Sequence, residues 1–152
     1  MTDDPTRTEP VILHVEDSPA DARLLREGFS DDLHSHLHWV SDGTEALQFL
    51  KQEPPHEDAP RPDLVVLDLN LPHRSGIDVL ESIKTDADLK AIPVVLLTSS
   101  DSPGDIEAAY RNHANAYLVK PMDIDECESI AEQLEAFWLH TAKLPQLTHD
   151  SQ

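Results

Sequence analysis

The side chains able to do chemistry stand where short apolar runs end. Glu16 and Asp17 follow "VILHV", Asp68 follows "LVVL", Thr98 follows "VVLL" and Lys120 follows "AYLV". Three carboxylates brought within a few ångströms repel one another by roughly 4 kcal/mol per close pair at an effective dielectric near 20. A divalent cation relieves that repulsion, and hard oxygen ligands of this kind favour Mg²⁺ held by carboxylates, water and a phosphoryl oxygen. Asp68 is the candidate nucleophile, because a carboxylate can accept a phosphoryl group as an acyl phosphate. Lys120 would supply a second positive charge and Thr98 a hydroxyl for a phosphoryl oxygen. Little more is needed for a reaction that is mainly positioning and electrostatics.

Such a set works only if one scaffold brings the run ends together. Strands are expected at Val11–Val15, around His36–Val40, and at Leu64–Leu67, Val94–Leu97 and Ala116–Val119. Four of these runs are almost wholly apolar, as strands covered by helices on both faces must be, while the second is more polar and reads as an edge. Segments of helical period follow: Ala20–Phe29, Thr44–Lys51, Ile77–Lys84, a weaker Asp105–Arg111, and Ile124–Leu139 with Ile130, Leu134, Phe137 and Trp138 on one stripe. Strands alternating with helices argue for an α/β chain, (βα)₅, with a parallel sheet. Ligands of a doubly wound sheet collect at the carboxyl ends of its strands, where the polar residues stand.

The chain has 152 residues, enough for one core and too few for a second output domain. Residues 1–9 and 142–152 read as disordered tails around a domain at 10–141. With Cys127 as the single cysteine, no internal disulfide can form, and no apolar span is long enough to cross a bilayer, so a cytoplasmic protein is expected. Thirty Asp+Glu against eleven Lys+Arg leave a formal net charge of −19, which disfavours direct contact with nucleic acid or an anionic membrane.

Four stretches, "VILHVEDSPAD", "PDLVVLDLNLP", "IPVVLLTSSD" and "ANAYLVKPMD", resemble in order and placement the marks of the two-component response-regulator receiver family. The resemblance implies a CheY-like, flavodoxin-like five-stranded sheet of order 2-1-3-4-5. It implies a phosphoacceptor switch that assists its own phosphorylation and dephosphorylation without being an enzyme, served by a sensor histidine kinase or phosphotransfer protein. By the same resemblance Asp17 and Asp68 bind Mg²⁺ directly, Glu16 acts mostly through water, and the Asn70 carbonyl completes the protein ligands. Thr98 and Tyr117 become the switch pair, and the Lys120–Pro121 bond is expected to be cis. The opening "VEDSPAD" and the ending "EAFWL" look closest to short stand-alone regulators associated with phytochrome-type kinases, in which Phe137–Leu139 or the neighbouring helix would make a homodimer. The chain departs from the pattern with His113 where relatives usually have Gly, Glu16 where many have Asp, and the small Ser99 and Ser100 after Thr98.

Other readings are weaker. An aspartyl-phosphate phosphatase usually has a second Asp two positions after the first, where this chain has Asn70, and a nucleotide-binding loop would need glycines that "EDSPAD" lacks. A receiver-like module that binds partners without phosphorylation would have no use for Asp68, Thr98 and Lys120 together. His34, His36 and His38 alternate as on one strand face, which fits an exposed edge strand better than a metal site. Cys127 reads as a passive helix residue. Acidic surfaces with few lysines are a lever that halophiles use, and self-repulsion of this size needs screening. Tm should therefore rise with KCl in a thermal melting series, and a midpoint indifferent to salt would contradict adaptation to a high-salt cytoplasm.

Overall fold

The computed structural model describes residues 10–145. The first expected tail, 1–9, and the later part of the second, 146–152, lie outside the described residues, while 142–145 form neither helix nor strand. The strands are β1 (Ile12–Val15), β2 (Leu37–Val40), β3 (Leu64–Leu67), β4 (Val94–Thr98) and β5 (Ala116–Val119), all parallel in one sheet of order β2-β1-β3-β4-β5. The helices are α1 (Pro19–Gly28), α2 (Gly43–Lys51), α3 (Gly76–Lys84), α4 (Pro103–Arg111) and α5 (Ile124–Leu134). Each helix opens on Ser18, Asp42, Ser75, Ser102 or Asp123, whose side-chain oxygen accepts from the backbone N–H three residues on. A cap of this kind is worth about 1 kcal/mol and fixes where the strand-to-helix loop stops.

Alternation along the buried strands divides the core in two. Leu13, Val15, Val65, Leu67, Val94 and Leu96 pack with α2 and α3 on one face. Ile12, Leu64, Val66, Val95 and Leu97 pack with Leu25 and Phe29 of the α1 side and with Ala131 and Leu134 of α5 on the other. Apart from His14 on β1, the three central strands therefore carry no polar residue until they reach the end of the sheet. This is the physical reason that the chemistry gathers at one rim.

Three expectations need correction. The last helix is α-helical only to Leu134; Glu135–Thr141 is π-helical, with the Ala142 N–H donating to the Phe137 carbonyl at 2.6 Å. Its wider turn breaks the expected stripe, leaving Phe137 exposed while Trp138 and Leu139 pack against the α1/α5 core. A 3₁₀ turn, Asp31–His36, precedes β2, so of the three alternating histidines only His38 lies on the strand. His34 instead places Nε2 2.7 Å from the Arg26 carbonyl, at an end of α1 where carbonyls lack helical partners. Helix α4 begins two residues before the expected Asp105, because Pro103 is suited to a first helical position after the Ser102 cap.

Gly76 ties α3 to the candidate nucleophile's loop. Its N–H donates to the Leu69 carbonyl at 2.9 Å, and a Cβ there would run into the Asp68 carbonyl and the Leu69 backbone. Gly76→Ala should lower the unfolding free energy by about 1–3 kcal/mol in urea denaturation. An unchanged midpoint and slope would mean that the loop can yield.

Candidate functional site

The first strand's end contributes Glu16 and Asp17, with Glu16 locked from several sides. Its N–H donates to the Val40 carbonyl at 3.0 Å, its carbonyl accepts from the Trp39 indole Nε1 at 2.7 Å, and its Oε2 accepts from the Ser18 N–H at 3.2 Å. Glu16 is 1 % exposed and Asp68 5 %, whereas Asp17 faces solvent. Asp68 is held by its N–H to the Val15 carbonyl at 3.1 Å and by the Asn70 N–H to its Oδ1 at 3.1 Å. One oxygen from each of Glu16, Asp17 and Asp68 falls within 4.8 Å of the others. Two separate strands thus deliver three hard oxygen donors to one spot.

Lys120, leaving β5, reaches across them. Its Nζ lies 2.9 Å from Asp68 Oδ2, 2.9 Å from Asp21 Oδ2 and 2.8 Å from Glu16 Oε1. The first two are hydrogen bonds. The third is an ion pair outside hydrogen-bond geometry, which leaves Glu16 Oε1 buried without a hydrogen-bond partner. Thr98 is fully buried, and its Oγ1 likewise makes no hydrogen bond, although it lies near enough to favour the ionised Asp68. Glu16 Oε1 is thus satisfied by charge alone, whereas the Thr98 hydroxyl beside Asp68 has no hydrogen-bond partner. The donors fit a divalent cation: Glu16, Asp17 and Asp68 form an acidic cluster of that kind, and Asn70 follows on the same exposed loop.

The electrostatics follow from burial. Burial pushes Glu16 up to about 7, assisted by the Asp68 charge and opposed by Lys120. Burial would raise Asp68 as well, but hydrogen bonds from Lys120 and Asn70 outweigh it and hold that carboxyl below the usual range. Burial would lower Lys120, yet its contacts with Glu16, Asp68 and Asp21 raise it instead. Beneath them His14, 2 % exposed, is held down at about 4 by burial and then by the Lys120 charge, so it sits neutral. Its Nε2 is 4.0 Å from Glu16 Oε1.

The site therefore joins Glu16, Asp17, Asp68, Thr98 and Lys120, while Tyr117 stands near the start of β5, three residues before Lys120. Its hydroxyl donates to the Ser100 carbonyl at 2.7 Å, tying the strand to the loop after Thr98. The Lys120–Pro121 bond is trans, against expectation; the cis bond among the described residues is Pro54–Pro55. Trans is the favoured isomer of an X–Pro bond by about 0.5–1 kcal/mol, and nothing in the residues at 120–121 had argued otherwise. His113 takes φ 72, the left-handed backbone that a glycine would adopt without cost, so the approach to β5 has a glycine's geometry despite its side chain. Sequence reasoning missed Asp21, His14 and Trp39. Asp21 was legible only as a first-turn acid of α1, which helix electrostatics already explain. Cys127 is half-buried on α5 with its thiol pushed up by burial, as a passive residue would be.

A cation competes with the proton on Glu16. Apparent Mg²⁺ affinity should therefore fall as pH drops below about 7, where Glu16 becomes protonated. Trp39 fluorescence offers the readout. Glu16→Gln should remove that step, and an unchanged pH profile in this variant would exclude Glu16 as its source.

The family-level match is to the response regulator receiver domain, over residues 12–132. The chain is 45 % identical over 136 residues to response regulator Rcp1 of Synechocystis sp., covering 89 % of this chain and 92 % of that one. Among solved structures it is similar to the Mn²⁺-bound form of Rcp1, with TM-score 0.83, 43 % identity, and 90 % of this chain and 99 % of that one covered. It is also similar to the phosphorylated cyanobacterial phytochrome response regulator RcpA, with TM-score 0.87 and 42 % identity, covering 91 % of this chain and all of that one (100 %).

Proposed function

This chain belongs to the response regulator receiver family, and from that premise we propose that it is a phosphoacceptor switch taking its phosphoryl group on Asp68 from a sensor histidine kinase or phosphotransfer protein. The observation that carries the reading is the Lys120 ammonium 2.9 Å from Asp68 Oδ2, with Glu16 and Asp17 gathered beside it. Lysine on one side and clustered oxygens on the other leave the carboxylate flanked by places for positive charge.

In this reading an Asp68 oxygen attacks the phosphorus of a phosphohistidine. The P–N bond breaks, its electron pair returns to the imidazole nitrogen, which takes up a proton, and an acyl phosphate remains on Asp68. Glu16, Asp17, Asp68 and the Asn70 carbonyl would hold Mg²⁺, which when bound supplies neutralising charge for the phosphoryl oxygens. The Lys120 ammonium moves from the Asp68 carboxylate to a phosphoryl oxygen. Thr98, buried without a partner, gains an acceptor and moves inward. Tyr117 then releases the Ser100 carbonyl and fills the space behind Thr98, so the loops after β4 and β5 repack. A shift from 1:99 to 99:1 needs about 5.5 kcal/mol of differential stabilisation, within reach of several charge-assisted hydrogen bonds.

The same reading assigns the receiver to residues 10–141 and a role as switch rather than enzyme, in the cytoplasm; no described helix is long and apolar enough to cross a membrane. Its partners are proteins, since a net charge of −19 opposes contact with nucleic acid. We place a homodimer contact at exposed Phe137, which meets Trp138 edge-on with ring centroids 5.1 Å apart.

Incubation with acetyl phosphate and Mg²⁺ should add one phosphoryl mass to the wild type and none to Asp68→Asn. Retained labelling in that variant would move the acceptor elsewhere, and an unlabelled wild type would favour the phosphorylation-independent interaction module. Lys120→Ala should still fold yet lose the spectral change that follows phosphorylation.

A further inference from the structure

Of the three carboxylates that hold Lys120, two have other work. Glu16 and Asp68 belong to the oxygen cluster, and Asp68 is also the acceptor in the reading above. Asp21 does not belong to that cluster, yet its Oδ2 is as close to Nζ, at 2.9 Å, as the acceptor's. We propose that Asp21 is a positioning residue of phosphoryl transfer, the fixed anchor that keeps the Lys120 ammonium over Asp68 while the other two carboxylates turn to cation and phosphoryl group. The inference rests on Asp68 being the acceptor.

The scaffold suits an anchor. Asp21 stands in the first turn of α1, its N–H held by the Ser18 Oγ at 3.2 Å, so the carboxylate projects from a capped helix rather than from a loop. Lys120 follows the end of β5, as the last residue before a proline, and its flexible four-carbon stem needs a partner at its tip to hold one position. An ammonium has three N–H donors. With one kept on Asp21, two remain for phosphoryl oxygens once Asp68 and Glu16 let go. Asp21 is also the most solvent-accessible of the three, with its side chain 41 % exposed against 1 % and 5 % for Glu16 and Asp68. It therefore carries its charge at little desolvation cost.

The sign of one measurement separates an anchor from a bystander. A bystander carboxylate only adds negative field, so neutralising it should strengthen capture of an anion; an anchor does the reverse. Beryllofluoride, titrated at saturating Mg²⁺ and followed by Trp39 fluorescence, is the probe. Asp21→Asn should bind it about three- to fivefold more weakly than wild type, the size expected of one partly exposed ion pair. Asp21→Glu, which keeps the charge, should bind more tightly than Asp21→Asn. Thermal melting of both variants checks that the fold persists. Equal or tighter binding by Asp21→Asn, or equal weakness in the two variants, overturns the anchor while leaving the acceptor reading intact. A wild type that ignores beryllofluoride overturns both.

Discussion

One ammonium group among buried carboxylates is the constraint on which the site depends. Glu16 and Asp68 lie almost out of water, where their mutual repulsion is poorly screened, and Lys120 stands within 2.9 Å of both. Four acidic groups, Glu16, Asp17, Asp21 and Asp68, face that single base. Burial first and the Asp68 charge after it carry Glu16 up to about 7 against the pull of Lys120, while Asp68, with two hydrogen-bond donors of its own, falls. The excess of carboxylates also fits a divalent cation: a second centre of positive charge would relieve what lysine leaves unbalanced.

The fold creates this imbalance by being apolar everywhere else. Three central strands buried along their whole length leave room for few polar groups before they end; β1 and β3 end in register at Val15 and Leu67, and β4 runs two residues past Leu96, the partner of Leu67, to Thr98. His14 is the exception inside the strand, and it remains neutral at about 4. A charged imidazole there would add to Lys120 in a space that already excludes water. Its burial means that the site's floor gives no protonic response near neutrality, so the pH sensitivity of the resting site falls to Glu16.

Much of this was legible in the residues. Unbroken runs such as "LVVL" could only be doubly covered strands, and the polar residue ending each run named the site before any geometry was known. Boundaries slipped where a local cap or turn overrode periodicity: Pro103 extends α4, and the 3₁₀ turn takes His34 and His36 from the strand. The π-helical turn after Leu134 was invisible because its i to i+5 bonding leaves no signature in a hydrophobic stripe. Asp21 was hidden for another reason. An acid in the first turn of a helix already has an explanation, and only the tertiary approach of a lysine 99 residues away reveals a second one.

What remains is whether the unpartnered groups find partners when charge arrives. Thr98 Oγ1 is buried and unbonded, and half-buried Tyr117 donates its hydroxyl to the Ser100 carbonyl; in the proposed reading these are the two halves of the rearrangement. A crystal structure of the protein with Mg²⁺ and beryllofluoride tests this most directly. The account requires beryllofluoride on Asp68, fluorines within hydrogen-bond reach of Lys120 Nζ and Thr98 Oγ1, and the Tyr117 hydroxyl gone from Ser100. Occupied Asp68 with Thr98 and Tyr117 unmoved, or beryllofluoride bound away from Asp68, would contradict it.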